Sequence, residues 1–191
     1  MPTGHGGGLR QRGLTLVETF VVLGILAITL GLALPAMRQW VDGVRMGTLA
    51  RAFHSDLQLT RTEAIRRGQR VVLCTAAGVQ SCSSQPGWHQ GWLMFVDSNN
   101  NAWLDSGEPV LRHHGPVPAG WSLWGNQPVA RYVSYGPLGE TRRVSGAFQA
   151  GSVYVCRDGG AAAGAPLPRR VAIASTGRPR TLPQHDHSVC P

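Results

Sequence analysis

Four arginines and no acidic residue lie in one twelve-residue stretch near the carboxyl end, RRVAIASTGRPR, residues 169–180. In GRPR, Pro179 disfavours a helical conformation for Arg178, and Gly177 permits an unusual backbone turn. Extended residues two apart point the same way, about 6 to 7 Å from each other, so we expect Arg178 and Arg180 to project together. Because this separation is about two steps of the roughly 3.4 Å repeat along one DNA strand, both guanidiniums would be able to reach phosphates.

The net charge of the chain favours an anionic partner. All eighteen basic residues are Arg and only ten acids oppose them, which gives a formal charge of +8. From Arg112 onward, nine Arg face only Glu140, Asp158 and Asp186, so the excess is concentrated in the C-terminal half. Such an excess is typical of proteins that bind nucleic acid or membrane headgroups.

One acid, Glu18, interrupts the apolar segment from Leu14 to Met37, which has no other charged side chain. A carboxylate at the centre of a membrane helix costs roughly 2.5 to 3.5 kcal/mol, so we expect it to have a use. The segment is long enough to cross about 30 Å of hydrocarbon as a helix. Arg10 and Arg12 before it, with a large domain after it, predict that the C-terminal part lies across the membrane.

This N-terminal segment resembles that of type IV pilins and type II secretion pseudopilins, because Gly13 is followed by LTLVETFVVLGILAITLGLALPAM. In that family a prepilin peptidase cuts after the glycine, which makes residues 1–13 a leader peptide. The new first residue is then N-methylated; here it is Leu14, where most members have Phe. The resemblance also implies that the Glu18 carboxylate pairs, in the filament, with the N-terminal ammonium of a neighbouring subunit.

The elements that must position these residues begin with one long helix. Residues 14–37 form its transmembrane and filament-core half, and residues 38–67 its amphipathic half. Gly68, after two arginines, is a good stop signal. Apolar residues at helical spacing predict the face that packs on the head: Leu49, Ala52, Phe53, Leu57, Thr60 and Ala64. Charged residues predict the more solvent-exposed faces of the helix: Asp42, Arg45, Arg51, Asp56, Arg61 and Arg66.

Residues 68–191 predict a β-rich head, because the apolar period changes to two after Arg70. We expect about seven or eight short strands in this region. Seven runs between Gly, Pro and Asn clusters predict them: RVVLCTA, GWLMFVD, PVLRHH, GWSLW, ARYVSY, GSVYVC and RRVAIAS. The predicted fold is therefore α+β, with a long N-terminal pilin-type helix packed on a C-terminal antiparallel β-sandwich-like head.

Four cysteines follow the apolar segment, and an even number in an oxidising compartment favours disulfides. Of the three possible pairings we favour Cys74–Cys82, which closes a hairpin, and Cys156–Cys190, which ties the tail to a strand. A partial zinc site at the tail, from His185, His187 and Cys190, is a weaker alternative.

A calcium loop is a second possible metal site. Asp97, Asn99, Asn101, Asp105 and Glu108 occupy EF-hand ligand positions in DSNNNAWLDSGE. However, Ala102 replaces the required glycine and strands flank the segment, so a long hairpin turn is the preferred interpretation. We predict no metal and no cofactor.

The chain as a whole resembles the GspH/FimT family of minor pilins and pseudopilins, and its tail resembles the FimT branch. In that branch a C-terminal G-R-x-R motif, in a loop between late strands, helps to bind DNA during natural transformation. Gly177, Arg178 and Arg180 match this motif residue for residue. Arg169 and Arg170 join the candidate site because of their charge and their proximity in sequence, without support from a motif.

The favoured hypothesis is a minor pilin of a type IV pilus that binds double-stranded DNA without sequence specificity for uptake. Its other expected partners are further pilins, the prepilin peptidase and, before assembly, the bacterial inner membrane. The head would lie in the periplasm, or at the cell surface within a pilus. The alternative is a structural minor pilin or GspH-like pseudopilin that primes or caps the filament without binding DNA. An enzyme is not predicted, because no nucleophile, base and orienting group converge in the sequence.

Overall fold

The computed structural model describes residues 15–76, 78–159 and 165–190. The predicted cleavage and methylation residues, Gly13 and Leu14, lie outside the described residues. The chain divides after Arg38 into two compact units. The first unit contributes the start of a helix, and the second contributes the rest of that helix and all of the strands.

One helix, α1 (Leu16–Arg67), contains the N-terminal apolar segment. By length and composition it is able to cross a membrane, and its large apolar side chains before Arg38 are exposed. Thr15 precedes the helix, and its Oγ1 accepts a hydrogen bond from the backbone N–H of Glu18 at 3.3 Å. Threonine followed three residues later by glutamate is the sequence of a capping box. The residues at the start of α1 therefore themselves favour helix initiation at this position.

In the part of the chain that the structure describes, eight strands form two antiparallel sheets of four strands each. Sheet one has the order β3-β2-β1-β5 and sheet two the order β4-β6-β7-β8. This architecture confirms the predicted fold class. The strands are β1 (Val71–Thr75), β2 (Trp92–Val96), β3 (Val110–His114), β4 (Trp121–Gly125), β5 (Tyr132–Tyr135), β6 (Gly151–Arg157), β7 (Arg169–Ile173) and β8 (Pro179–Pro183).

Each of the seven predicted runs contains one strand, but β8 was not among them. Pro179 and Pro183 bound this strand, and proline cannot donate a hydrogen bond to a sheet ladder. The structure accommodates them because β8 lies at the edge of sheet two and pairs only with β7. Edge strands tolerate proline, so both prolines are compatible with a strand at this position.

One hydrophobic core joins the second part of α1 to both sheets. Phe53 of α1 packs edge-to-face on Trp88 and Trp92, with ring centroids 4.9 and 5.2 Å apart. Five of the six predicted packing residues of α1 are buried, and Ala52 is half-buried. The opposite face of sheet one has its own smaller core beneath the residue 97–108 turn, so β1 and β2 are buried at every position.

Asp56 was predicted on a solvent-exposed face of α1, but it is buried and only 1% exposed. Its Oδ2 accepts a hydrogen bond from Trp92 Nε1 at 2.8 Å, and its Oδ1 lies 2.9 Å from Arg112 Nε. Both partners come from β2 and β3, far away in sequence. The prediction that Asp56 lies on a solvent-exposed face was therefore wrong, because helical spacing carries no information about partners from other elements.

The four cysteines form two disulfides, Cys74–Cys82 and Cys156–Cys190, which is the favoured pairing. The second disulfide ties the tail, with its short 3₁₀ helix (His187–Val189), to β6. Because Cys190 is bonded to Cys156, it provides no thiolate for a zinc site with its neighbouring histidines.

Residues 97–108 form a turn between β2 and β3 that is closed by its own hydrogen bonds. The Asp97 carboxylate accepts hydrogen bonds from the backbone N–H groups of Asn101 and Ala102, at 3.1 and 3.0 Å. Burial raises the pKa of Asp97 above its usual range. The Asp105 carboxylate accepts hydrogen bonds from two asparagine side chains. Within the described ranges, no three potential ligand residues are grouped to hold a metal ion.

Candidate nucleic-acid interface

The turn between β7 and β8 presents the GRPR arginines. The carbonyl of Ala174 accepts a hydrogen bond from the N–H of Gly177 at 2.8 Å, and the Arg178 carbonyl accepts one from the Ala174 N–H. Gly177 has a φ of +80°, a conformation that strains any residue with a Cβ atom. The motif glycine therefore sets the direction in which the chain leaves the turn and enters β8.

This turn is fixed to a neighbouring segment of the head. Gly177 is buried, and a Cβ atom at this position would collide with the carbonyl oxygen of Gly139. The backbone N–H of Thr141 donates to the Ser175 carbonyl at 3.1 Å, and Thr141 Oγ1 donates to the Ala174 carbonyl at 3.0 Å. The role of Gly177 is thus to hold the backbone that carries Arg178.

The register of sheet two brings Arg170 and Arg180 to the same outer face. Val171 and Ile173 are buried in the core, so the alternating residues Arg170 and Ala172 face outward. Ala172 pairs with Arg180 of β8. Paired residues of an antiparallel ladder lie on one face with Cβ atoms roughly 4.5 to 5.5 Å apart. Arg170 and Arg180 are therefore near neighbours on this face.

Three arginines line one open groove on this face, with a volume of about 520 Å³. We call it the basic groove. Its polar lining residues come from the loop after β4, from β6, from β7, from the β7–β8 turn and from β8, and they are Asn126, Ser152, Arg170, Thr176, Arg178 and Arg180.

The guanidiniums of the basic groove have no acidic partner among the residues that the structure describes. The ion pairs between described residues involve arginines outside the basic groove, such as Arg112 with Asp56 and Arg157 with Asp42. Arg170 Nε donates a hydrogen bond to Ser152 Oγ at 2.8 Å, which orients its guanidinium. The positive charge of the basic groove is therefore available to an anionic ligand.

Arg169 does not join the basic groove. It alternates with Arg170 along β7, so its side chain leaves the strand on the face that carries Val171. The structure thus brings together Gly177, Arg178, Arg180 and Arg170 from the predicted set, and it separates Arg169 from them.

Sequence reasoning missed three polar residues of the basic groove, Asn126, Ser152 and Thr176. Asn126 Oδ1 accepts a hydrogen bond from the backbone N–H of Ser152 at 2.8 Å, which ties the loop after β4 to β6. Ser152 reaches the groove through the pairing of β6 with β7, and Asn126 through the pairing of β4 with β6. Thr176 lies in the β7–β8 turn, and its position next to Gly177 was the one local signal for these three residues.

Glu18 belongs to a separate candidate site, because it lies in the first turn of α1 in the other unit. A carboxylate there also complements the positive end of the helix dipole. Its position therefore suits both a local role in helix initiation and the predicted role in assembly.

Three comparisons with known proteins bear on this chain. The family described as type II transport protein GspH matches residues 49–177. The pilin-like protein PilA1 of Thermus thermophilus is 33% identical over 173 residues, which cover 90% of this chain and 99% of that protein. Two crystal structures of the type IV minor pilin FimU of Pseudomonas aeruginosa share the fold at 17% identity, with TM-scores of 0.55 and 0.52. They cover 75% and 72% of this chain, and 92% of the FimU chain in each case.

Proposed function

Because this chain belongs to the GspH family of pilin-like proteins, we propose that it is a minor pilin of a type IV pilus that binds extracellular DNA. The DNA is double-stranded, it is bound without sequence specificity, and binding serves uptake in natural transformation. The protein acts by binding and assembly and is not an enzyme.

The observation that carries this proposal is the convergence of Arg170, Arg178 and Arg180 on one groove, where none of them pairs with an acid of the described residues. Surface arginines usually pair with a nearby carboxylate or point separately into solvent. Here three come from two strands and the turn between them, and a glycine with a positive φ fixes that turn. Such a preformed cationic surface lowers the cost of ordering side chains when a polyanion binds.

Phosphate contacts explain both the expected affinity and the expected lack of sequence preference. Arginine offers a planar fork of donors that fits a phosphate with two hydrogen bonds. Phosphates carry no sequence information, so a site built from such contacts binds any duplex. Each neutralised phosphate releases counterions, and binding should therefore weaken steeply as salt rises.

The N-terminal segment supplies the second part of the proposal. Residues 1–13 form a leader that a prepilin peptidase removes after Gly13, and Leu14 is then N-methylated. Residues 14–37 hold the protein in the bacterial inner membrane before assembly, with residues 38–67 and the head of residues 68–191 in the periplasm. In the pilus, Glu18 pairs with the N-terminus of a neighbouring pilin.

A structural minor pilin or type II secretion pseudopilin is the second candidate. The match of residues 49–177 to the type II transport protein family favours it. In that case the protein primes or caps a filament, and the arginines of the basic groove are only solvated.

Binding of a short DNA duplex by the full chain in a nonionic detergent distinguishes these candidates. We expect Arg178→Ala/Arg180→Ala to lower the affinity at least about tenfold, since a hydrogen bond to a charged group contributes roughly 1.5 to 3 kcal/mol. The matched control is Arg45→Ala/Arg131→Ala, which removes the same charge from exposed positions outside the basic groove. Equal losses in the two variants, or no binding by the wild type, would favour the structural candidate.

A further inference from the structure

A small hairpin of residues 141–149 leads from the segment after β5 toward β6. The Gln149 N–H donates to the Thr141 carbonyl at 3.1 Å, and both residues are buried. Within the hairpin Phe148 stands opposite Arg142, and its side chain is 65% exposed. The root of the hairpin is therefore fixed in the head, while a large aromatic ring is presented to solvent.

Arg142 braces this ring. Its Cζ lies 5.0 Å from the centroid of the Phe148 ring, and its guanidinium is held by Glu140 Oε1 at 3.2 Å and by the Gly146 carbonyl at 3.1 Å. A guanidinium over an aromatic face is attracted by the ring quadrupole. Because Arg142 is itself held by two other contacts, the ring loses part of its rotational freedom before any ligand arrives.

The hairpin is joined directly to the basic groove. Thr141 at its root donates to the Ala174 carbonyl in the turn that carries Arg178. At its other end Ala150 lines the basic groove. Phe148 and Ala150 are exposed on either side of the buried Gln149, so they lie on the same side of the chain, about 6 to 7 Å apart. The ring is thus carried two residues before Ala150, the groove residue nearest to it in sequence.

We infer that Phe148, braced by Arg142, is a stacking platform for unpaired bases, so that this site takes single-stranded DNA through its bases as well as its phosphates. The inference rests on the proposed function and deepens it. Aromatic rings in a cationic groove bind single strands because every base has a π-face on which to stack. In an intact duplex those faces are already stacked on one another, so Phe148 adds affinity only where bases are unpaired.

Three DNA probes of equal length test this inference with the full chain in a nonionic detergent: a single strand, an abasic single strand and a duplex. We expect the wild type to bind the single strand more tightly than the abasic strand. Phe148→Ala should lower the affinity for the single strand roughly 5- to 10-fold, the lower part of the range for base–aromatic stacking. Its affinities for the abasic strand and the duplex should not change, and Phe148→Trp should retain the wild-type preference.

The control is Leu138→Ala, which removes another exposed apolar side chain, 85% exposed, from outside the hairpin. It should leave all three affinities unchanged. The inference is overturned if Phe148→Ala has no effect, or weakens binding of the abasic strand as much as that of the normal strand. If Arg178→Ala/Arg180→Ala still loses duplex binding in that case, the proposed function is supported and only the stacking role of Phe148 is wrong. If the wild type binds none of the probes, both fail.

Discussion

The arginines of the basic groove differ from other arginines of the head in what surrounds their guanidiniums. Arg112 and Arg157 reach carboxylates of α1, and Arg142 is held by a carboxylate and an aromatic ring. Those residues tie parts of the head together. Arg178 and Arg180 instead face an open groove, where no acid within the described ranges forms an ion pair with them.

At the residue scale, the sequence predicted the arginines better than their surroundings. The G-R-x-R spacing identified Arg178 and Arg180, and charge together with proximity in sequence added Arg170 and Arg169 with equal weight. Only strand alternation, with the register of β7 on β8, separates the last two. The buried Asp56 was mistaken for a solvated residue for the same reason, because its partners are set by tertiary packing.

Tyr135 gives a prediction for stability at alkaline pH. Its hydroxyl is buried without a hydrogen-bond partner in the described part of the chain, and burial raises its pKa well above the usual value, against a smaller lowering by Arg61. Since the folded state then keeps a proton that the unfolded state releases, stability should fall above about pH 10, by up to roughly 1.4 kcal/mol per pH unit.

Tyr135→Phe should remove this loss without weakening the fold at neutral pH, because it deletes an unsatisfied polar atom. The measurement is urea unfolding at pH 8 and at a pH above about 10. The chain has no Lys, so few other groups titrate in this range. An equal alkaline loss of stability in wild type and variant would contradict the assignment.

At the scale of elements, the β7–β8 turn links fold and function. Its glycine is conformationally required and also lies against Gly139, while hydrogen bonds from Thr141 hold the turn from the other side. The seven predicted strands followed from period-two patterning, whereas no predicted run covered β8, which has proline at both ends. Its edge position, where proline is tolerated, depends on the order of strands, which local patterning does not encode.

Gly177→Ala should lower the free energy of unfolding by at least about 3 kcal/mol, since it combines backbone strain with a steric overlap, each costing roughly 1 to 3 kcal/mol. Gly146→Ala is the matched control, because its φ of +84° is similar and, apart from its chain neighbours, no atom of the described residues lies within 4 Å of the added Cβ. It should cost only about 1 kcal/mol. Chemical denaturation measures both values, and equal costs would show that the contact with Gly139 is unimportant.

At the scale of the whole molecule, a head with a cationic groove is joined to an apolar helix that suits a membrane or a filament core. The α+β class was predictable, because helical spacing before Gly68 and period-two spacing after Arg70 divide the chain clearly. The family was predictable from the resemblance of the N-terminal segment and of the G-R-x-R motif. The described residues that line the groove come from three separate segments of the chain, at 126, 150–152 and 170–180. Their convergence depends on sheet register, which explains why only its arginines were predicted.

Assembly of the whole protein into a filament tests the proposed role of Glu18. Glu18→Gln removes the charge, and we expect it to reduce the amount of the protein in sheared pili more than about 100-fold, since losing one partner of a buried ion pair costs roughly 3 to 5 kcal/mol. Thr15→Ala is the control, because it removes the helix cap seen in the structure, at about 1 kcal/mol, and keeps the carboxylate. Normal assembly of Glu18→Gln, or an equal defect in both variants, would contradict a role for the charge.

The salt dependence of duplex binding tests the basic groove most directly. The affinity of the full chain would be measured between about 50 and 200 mM salt, and three phosphate contacts predict a log–log slope near −2.7. In Arg178→Ala/Arg180→Ala the slope should become shallower by about 1.8, while the control Arg45→Ala/Arg131→Ala keeps the wild-type value. A slope that is the same in the wild type and the groove variant would show that these arginines do not contact phosphates, and the DNA-binding account would be wrong.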